Sequence, residues 1–272
     1  MIHRVYLIPG FFGFADLGGI TYFHHVERTL SRRLDLARVP HTITPVGTRP
    51  TASIRARARA LAGAIHATSR AEDRIYLVGH SAGGLDARLF TSPGAALETD
   101  LPIEAMASRV GAVITLSTPH FGTPLASFFS TIAGEKVLFA LSLLTIYVLR
   151  FGRVPLGFAG LLTRGLTRLD DIVGLENTVL DELYDSLLVD FSPAKRDVIR
   201  DFLEEVRRER GIVSQLTPDG IDLFNASVAA RPGVEYLSVI TVAPPPTARS
   251  FLELASNPYA LAQHAVYTAL HR

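Results

Sequence analysis

The chain has 272 residues, a formal net charge of +1, no cysteine, 48% apolar residues and a mean hydropathy of +0.26. The lack of cysteine excludes disulfides, thiolate metal sites and a cysteine nucleophile, and arginines scattered among acids at near-zero net charge leave no electrostatic footprint for nucleic acid. The length is enough for one large core, and the apolar surplus is enough to serve a ligand or lipid as well.

Met1-Ile2-His3-Arg4 leads straight into a strand, without the charged and apolar regions of a secretion signal. The longest uncharged apolar run, Val137 to Leu149, has 13 residues, too few to span a bilayer. The cytoplasm is therefore the default expectation for a compartment that the sequence leaves unknown. Val5-Tyr6-Leu7-Ile8 reads as a buried strand running into a glycine-rich loop, Pro9 to Phe14, at its carboxyl end. Ligands of open α/β sheets sit at such ends. Phe11, directly after Gly10, is placed to offer a backbone N–H to an oxyanion, unless the loop is an ordinary strand-to-helix turn.

Thr21 to Leu34 predicts a helix with Val26, Leu30 and Leu34 at helical spacing and His24 and His25 on its surface. A second strand fits His41 to Val46. Thr51-Ala-Ser-Ile then opens a helix striped by Ile54, Ala58, Leu61 and Ile65, with Arg55, Arg57 and Arg59 expected on the solvated side.

The stretch Arg74 to Phe90 predicts strand, sharp turn and helix. Ile75 to Val78 is a continuous apolar run of the kind buried on both faces of a parallel sheet. It ends at Gly79-His80-Ser81-Ala82-Gly83, after which Leu85 and Leu89 fall on one helical face. Glycines two before and two after a serine suit a strained elbow that lifts the hydroxyl clear of the sheet. The Ala82 N–H then lies at a helix start whose dipole favours negative charge. Ser81 is thus the expected nucleophile, with Phe11 and Ala82 as the oxyanion donors.

Ser92-Pro93-Gly94 marks a helix stop, and Val110 to Leu116 another buried strand. The loop from Ser117 to Pro124 should share the carboxyl edge of the sheet, with His120 as loop architecture or pocket wall and Phe12 as a second wall candidate. From Leu125 to Arg231 the alternation of strand and helix stops. Glu176 to Val189 and Ser192 to Arg210 read as helices, the latter capped by Ser192, started by Pro193 and stopped by Gly211. Thr217-Pro218-Asp219 opens another, with Asp219 as a first-turn acid facing the dipole. This region, about residues 125–231, is expected to be a helical cap inserted in a single domain whose core is 1–124 and 232–272; it either closes the core or acts as a lid that makes transient contact with a lipid interface. Val234 to Val242 predicts a fifth strand, and Asn257 onward a final helix carrying His264 and His271 on its surface. No nucleotide loop or metal-ligand cluster is visible, so neither cofactor nor metal is expected.

Together, Leu7 to Phe14 with Gly19, Pro45 to Ile54, Gly79 to Leu85, Thr115 to Thr123, Leu216 to Asn225 and Val234 to Ser238 resemble bacterial triacylglycerol lipases, the true-lipase group of the α/β-hydrolase superfamily. The resemblance implies a mostly parallel sheet flanked by helices and a carboxylic-ester hydrolase acting on acylglycerols or other apolar esters. It also implies export for many relatives. The sequence departs from the group at Pro9, where relatives carry histidine. It departs again at the end, where the group places an acid and a histidine on loops after the last strands. The expectation is that a last strand, the acid and the histidine lie beyond residue 272; the rival is an unconventional use of His264 or His120. An acyltransferase would share these motifs, and a non-catalytic lipid-binding relative would keep the cap but have no base.

Overall fold

The computed structural model describes residues 1–17, 20–131, 192–209, 211–242 and 244–247, with isolated positions at 138, 139, 142, 143, 146, 184, 264 and 268. The chain divides into two compact units, Met1–Ser127 with Glu205–Thr241, and Phe128–Glu204 with Val242–Arg272. The expected helix over 176–189, all of it but residue 184, and most of the final helix lie outside the described residues, as does most of the apolar part of the expected cap. No described helix is long and apolar enough to cross a membrane.

The first unit is built on β1 (His3–Ile8), β2 (Asp16–Leu17), β3 (Ile20–Thr21), α1 (His24–Leu36), β4 (His41–Pro45), α2 (Ile54–Thr68), β5 (Arg74–His80), α3 (Gly83–Thr91), α4 (Ile103–Ala107), β6 (Val110–Leu116) and β7 (Glu235–Val239). Three further helices in the first unit or at its borders are α5 (Pro124–Phe129), α7 (Gly211–Gln215) and α8 (Pro218–Ser227); α6 (Pro193–Arg208) precedes α7. Five strands form one sheet in the order β4-β1-β5-β6-β7, every neighbouring pair parallel. The fold is therefore α/β: a mostly parallel sheet flanked by the helices of its crossovers.

Alternation along β1 divides the core into two faces, as a two-residue repeat must. Tyr6 and Ile8 join Ala58, Leu61, Ile65, Leu77 and Phe90 on the side of α2 and α3. Val5 and Leu7 join Phe23 and Val78 on the other, with Leu30 and Leu34 of α1 packed against them. Helix α2 begins where Ser53 accepts a hydrogen bond from the Ala56 N–H, and α8 where Thr217 accepts one from Gly220. Each cap satisfies a donor that the first helical turn leaves free.

The structure corrects the sequence reading at Thr21, Gly211 and Arg57. Thr21 pairs with Asp16 in a small antiparallel hairpin, so α1 starts three residues later, and Val26 is 41% exposed rather than part of the stripe. Gly211 opens α7 instead of only ending the helix before it. Strand β7 is exposed along its whole length, and no described strand pairs with its outer edge. Finally, Arg57 is not on a solvated face; it is 0% exposed.

At the amino end of the sheet, Asp73 accepts hydrogen bonds from the Ile2 N–H, the Arg70 N–H and Arg4 Nε. The Arg70 amide first, then Arg4 and the Ile2 amide, hold its carboxyl down to about 2 against the opposing effect of burial. A lowered carboxyl contributes stability above its unfolded value and loses it as pH falls through the folded one. Asp73→Asn should therefore narrow the gap between urea midpoints at about pH 6 and about pH 3; an unchanged gap would remove Asp73 from the acid response.

Candidate functional site

Strand β5 ends with Gly79 opposite Ile8 on one side and Thr115 on the other, and the chain then reverses sharply. The Ser81 N–H donates to the Leu116 carbonyl at 2.8 Å, and Ser81 sits at φ +52°, in the left-handed region. A non-glycine residue held there costs about 1 to 3 kcal/mol and persists only where the surroundings fix it. The fixing is visible on both flanks. A Cβ on Gly79 would meet Gly83 backbone at 2.4 Å, and a Cβ on Gly83 would meet the Ile8 carbonyl oxygen at 2.3 Å. Only glycines let strand, turn and α3 close this tightly. Ser81 ends half-buried, with Ala82 as the cap residue of α3.

The loop after β1 passes directly against the serine. A Cβ on Gly10 would lie 2.6 Å from Ser81 Cβ and 3.2 Å from Ser81 Oγ. The loop is closed on itself by the Gly13 N–H donating to the Gly10 carbonyl at 3.0 Å, and tethered by the Phe12 N–H donating to the Pro50 carbonyl at 3.1 Å. Phe12 has φ +56° and packs its buried ring on Phe11, with centroids 4.3 Å apart. Among the described residues neither the Phe11 nor the Ala82 N–H is spent on a protein hydrogen bond. Gly10→Ala should therefore push the loop off Ser81, lowering kcat/KM for an ester by about a hundredfold, the scale of losing one oxyanion donor. Unchanged turnover would show that the loop does not take part.

What holds this loop is a buried ion pair. Arg57, from α2, meets Asp86 of α3 at 2.9 Å, with both side chains fully buried. Its remaining donors go to the Pro9 carbonyl at 2.5 Å and the Arg49 carbonyl at 2.9 Å. Burial pushes the Asp86 carboxyl up to about 6 against the pull of Arg57. One guanidinium thus joins the helix of the elbow, the loop beside Ser81 and the segment after β4. The sequence reading missed it, although Arg57 stands three residues after Ile54 and four before Leu61, squarely on the apolar stripe.

Tyr22 is the second residue that went unread. Its hydroxyl meets His80 Nδ1 at 2.7 Å, tying the segment after β3 to the elbow. Burial raises the Tyr22 hydroxyl and lowers His80, so both are neutral near pH 7. No periodicity marks Tyr22, which lay inside the span read as helix.

The expected pocket-wall residue His120 lines a cavity beside β6 and β7, where Nε2 meets Thr115 Oγ1 at 3.1 Å and Nδ1 meets Arg88 Nη1 at 3.2 Å. The Ser81 hydroxyl has no hydrogen-bond partner among the described residues. Asp219 is exposed in the first turn of α8. His264 is half-buried and bonded to Thr268, and His271 lies outside the described residues.

No protein-family model matches the chain, and no curated protein matches it. Among solved structures it is similar to EstA from Clostridium botulinum, at 21% identity and a TM-score of 0.48, over 86% of this chain and 59% of that one. It is also similar to lipase 1 from Pelosinus fermentans, at 18% identity and a TM-score of 0.47, over 85% of this chain and 66% of that one, and to Staphylococcus hyicus lipase, at 16% identity and a TM-score of 0.43, over 85% and 64%. The chain thus spans about 59 to 66% of the length of these structures.

Proposed function

We propose that this chain carries the nucleophile and oxyanion hole of a serine carboxylic-ester hydrolase of lipase or esterase type, acting on apolar acyl esters. The observation that supports it best is the approach of the Gly10 loop to Ser81 Oγ, with a Cβ position only 3.2 Å away, beside two unspent amides. On this reading Ser81 Oγ attacks the ester carbonyl carbon, and the Phe11 and Ala82 N–H groups receive the developing alkoxide, each worth about 3 kcal/mol. The leaving alcohol takes the proton that the serine gave up, and water then releases the acid and restores the hydroxyl. Phe11 and Phe12 would face the acyl chain. Gly79, His80 and Gly83 act as the frame of the turn.

A serine hydroxyl without a base is a poor nucleophile. The proposal therefore includes an acid and a histidine encoded downstream of Arg272: the gene should read on through a strand and a histidine-bearing loop, and a stop codon at that point removes this part. Labelling of Ser81 by a fluorophosphonate, in this chain and in the longer reading frame, tests the assignment. Modification of Ser81 supports it, and an unlabelled serine in both proteins refutes it. A lid in the expected cap would give a jump in rate when a soluble ester is raised past its solubility limit; smooth saturation argues against transient interface contact.

A further inference from the structure

Between α3, the loop after β6, α8 and β7 lies a half-open cavity of about 840 Å³ that the proposed chemistry does not use. Its volume is in the range of sites that hold drug-sized ligands. The walls are mostly apolar, with Val113, Val228, Leu237 and Ile240 among them, and Arg88 stands on its lining. The guanidinium is half-buried, yet each of its partners among the described residues is neutral. Nη1 meets His120 Nδ1 at 3.2 Å, Nη2 donates to Asn225 Oδ1 at 3.0 Å, and the Phe224 ring lies 5.2 Å from Cζ. Asn225 Nδ2 donates in turn to the His120 carbonyl at 2.9 Å, which fixes the amide and with it the arginine. By contrast Arg4, Arg57 and Arg231 each meet a carboxylate, at 2.8, 2.9 and 2.7 Å.

A cation drawn partly out of water and left without a counter-charge is costly, and an anion that enters beside it regains that cost. Arginine matches a carboxylate in geometry as well as charge. With one cation and otherwise neutral walls, the cavity suits a monoanion with an apolar body better than a dianion. We propose that it binds an amphiphilic carboxylate, its head on Arg88 and its alkyl chain along Val228, Leu237 and Ile240. That this acid is of the kind released by ester hydrolysis rests on the hydrolase reading; the binding itself does not.

The test uses the full chain carrying Ser81→Ala, so that nothing is turned over and the Ser81 chemistry is silent. Calorimetric titration with decanoate below its micellar range should show saturable binding that decanol, its neutral counterpart, does not reproduce. In that background Arg88→Gln should weaken decanoate by about thirtyfold or more. Ala230→Trp, at an exposed lining position, should block binding without moving the melting temperature, and it serves where Arg88→Gln fails to fold. No decanoate binding, equal binding of decanol, or full affinity in the folded variants would overturn the site. Fluorophosphonate labelling of the wild-type chain is scored separately, so loss of the hydrolase reading and loss of this site give different results.

Discussion

In the longer reading frame, which would supply the acid and histidine, replacing Ser81 with alanine is expected to reduce p-nitrophenyl ester turnover by about a millionfold, the scale at which a serine nucleophile fails alone. The fold should be left intact. The side chain lost is a half-buried hydroxyl with no hydrogen bond to any described residue, so its removal leaves no buried group unsatisfied. A companion substitution separates chemistry from backbone strain. Ser81 is held at φ +52°, where glycine rests without penalty. Ser81→Gly should therefore be as inactive as Ser81→Ala but more stable than the wild type, by about 1 kcal/mol, because the strain stored at the elbow is released. Turnover surviving in either variant removes Ser81 from the mechanism. Equal stability of the two variants would mean that the turn is not strained and that the surroundings do not force this serine into position.

The parts of the fold that were legible in the sequence are those set by local pattern. The runs in β1, β5 and β6 are apolar without interruption because both faces of the sheet are covered there, and the glycines of the elbow are visible because Gly79 and Gly83 must pass within van der Waals contact of other backbone. Proline and threonine likewise announced the start of α8. What stayed hidden depends on partners far away in the chain. Tyr22 finds His80 across 58 positions, and Arg57 finds Asp86 across 29. Arg57 did leave a trace in its place on the apolar stripe, but a charged residue between two other arginines reads as solvated until a buried acid is known to face it. The exposure of β7 was invisible for another reason. Its composition is that of a covered strand, and whether its outer edge is covered depends on what lies beside it rather than on its own residues.

Arg57→Ala should be the most destabilising single substitution in the first unit, costing about 3 to 5 kcal/mol, because it leaves the Asp86 carboxylate buried without its cation. The penalty should depend on pH with a definite sign. Burial already pushes the Asp86 carboxyl up to about 6, above its unfolded value, so the folded state holds that proton more tightly and this group favours folding at low pH, an advantage lost as pH rises through about 6. Without Arg57 the carboxyl is pushed higher still. The variant should therefore be much closer to wild type at about pH 5 than at about pH 8 when urea midpoints are compared. An equal penalty at both would show that lost packing, not the stranded charge, is responsible. The double substitution Arg57→Met with Asp86→Leu then separates stability from positioning. It removes both charges and restores apolar volume, so most of the stability should return. The Pro9 carbonyl would still have lost the donor that pins the loop beside Ser81. Turnover should accordingly remain low in a well-folded double variant, with kcat falling more than KM rises. Recovery of full activity would mean that the loop is held by its own turn and by the Phe12 tether, and that the arginine serves the core alone.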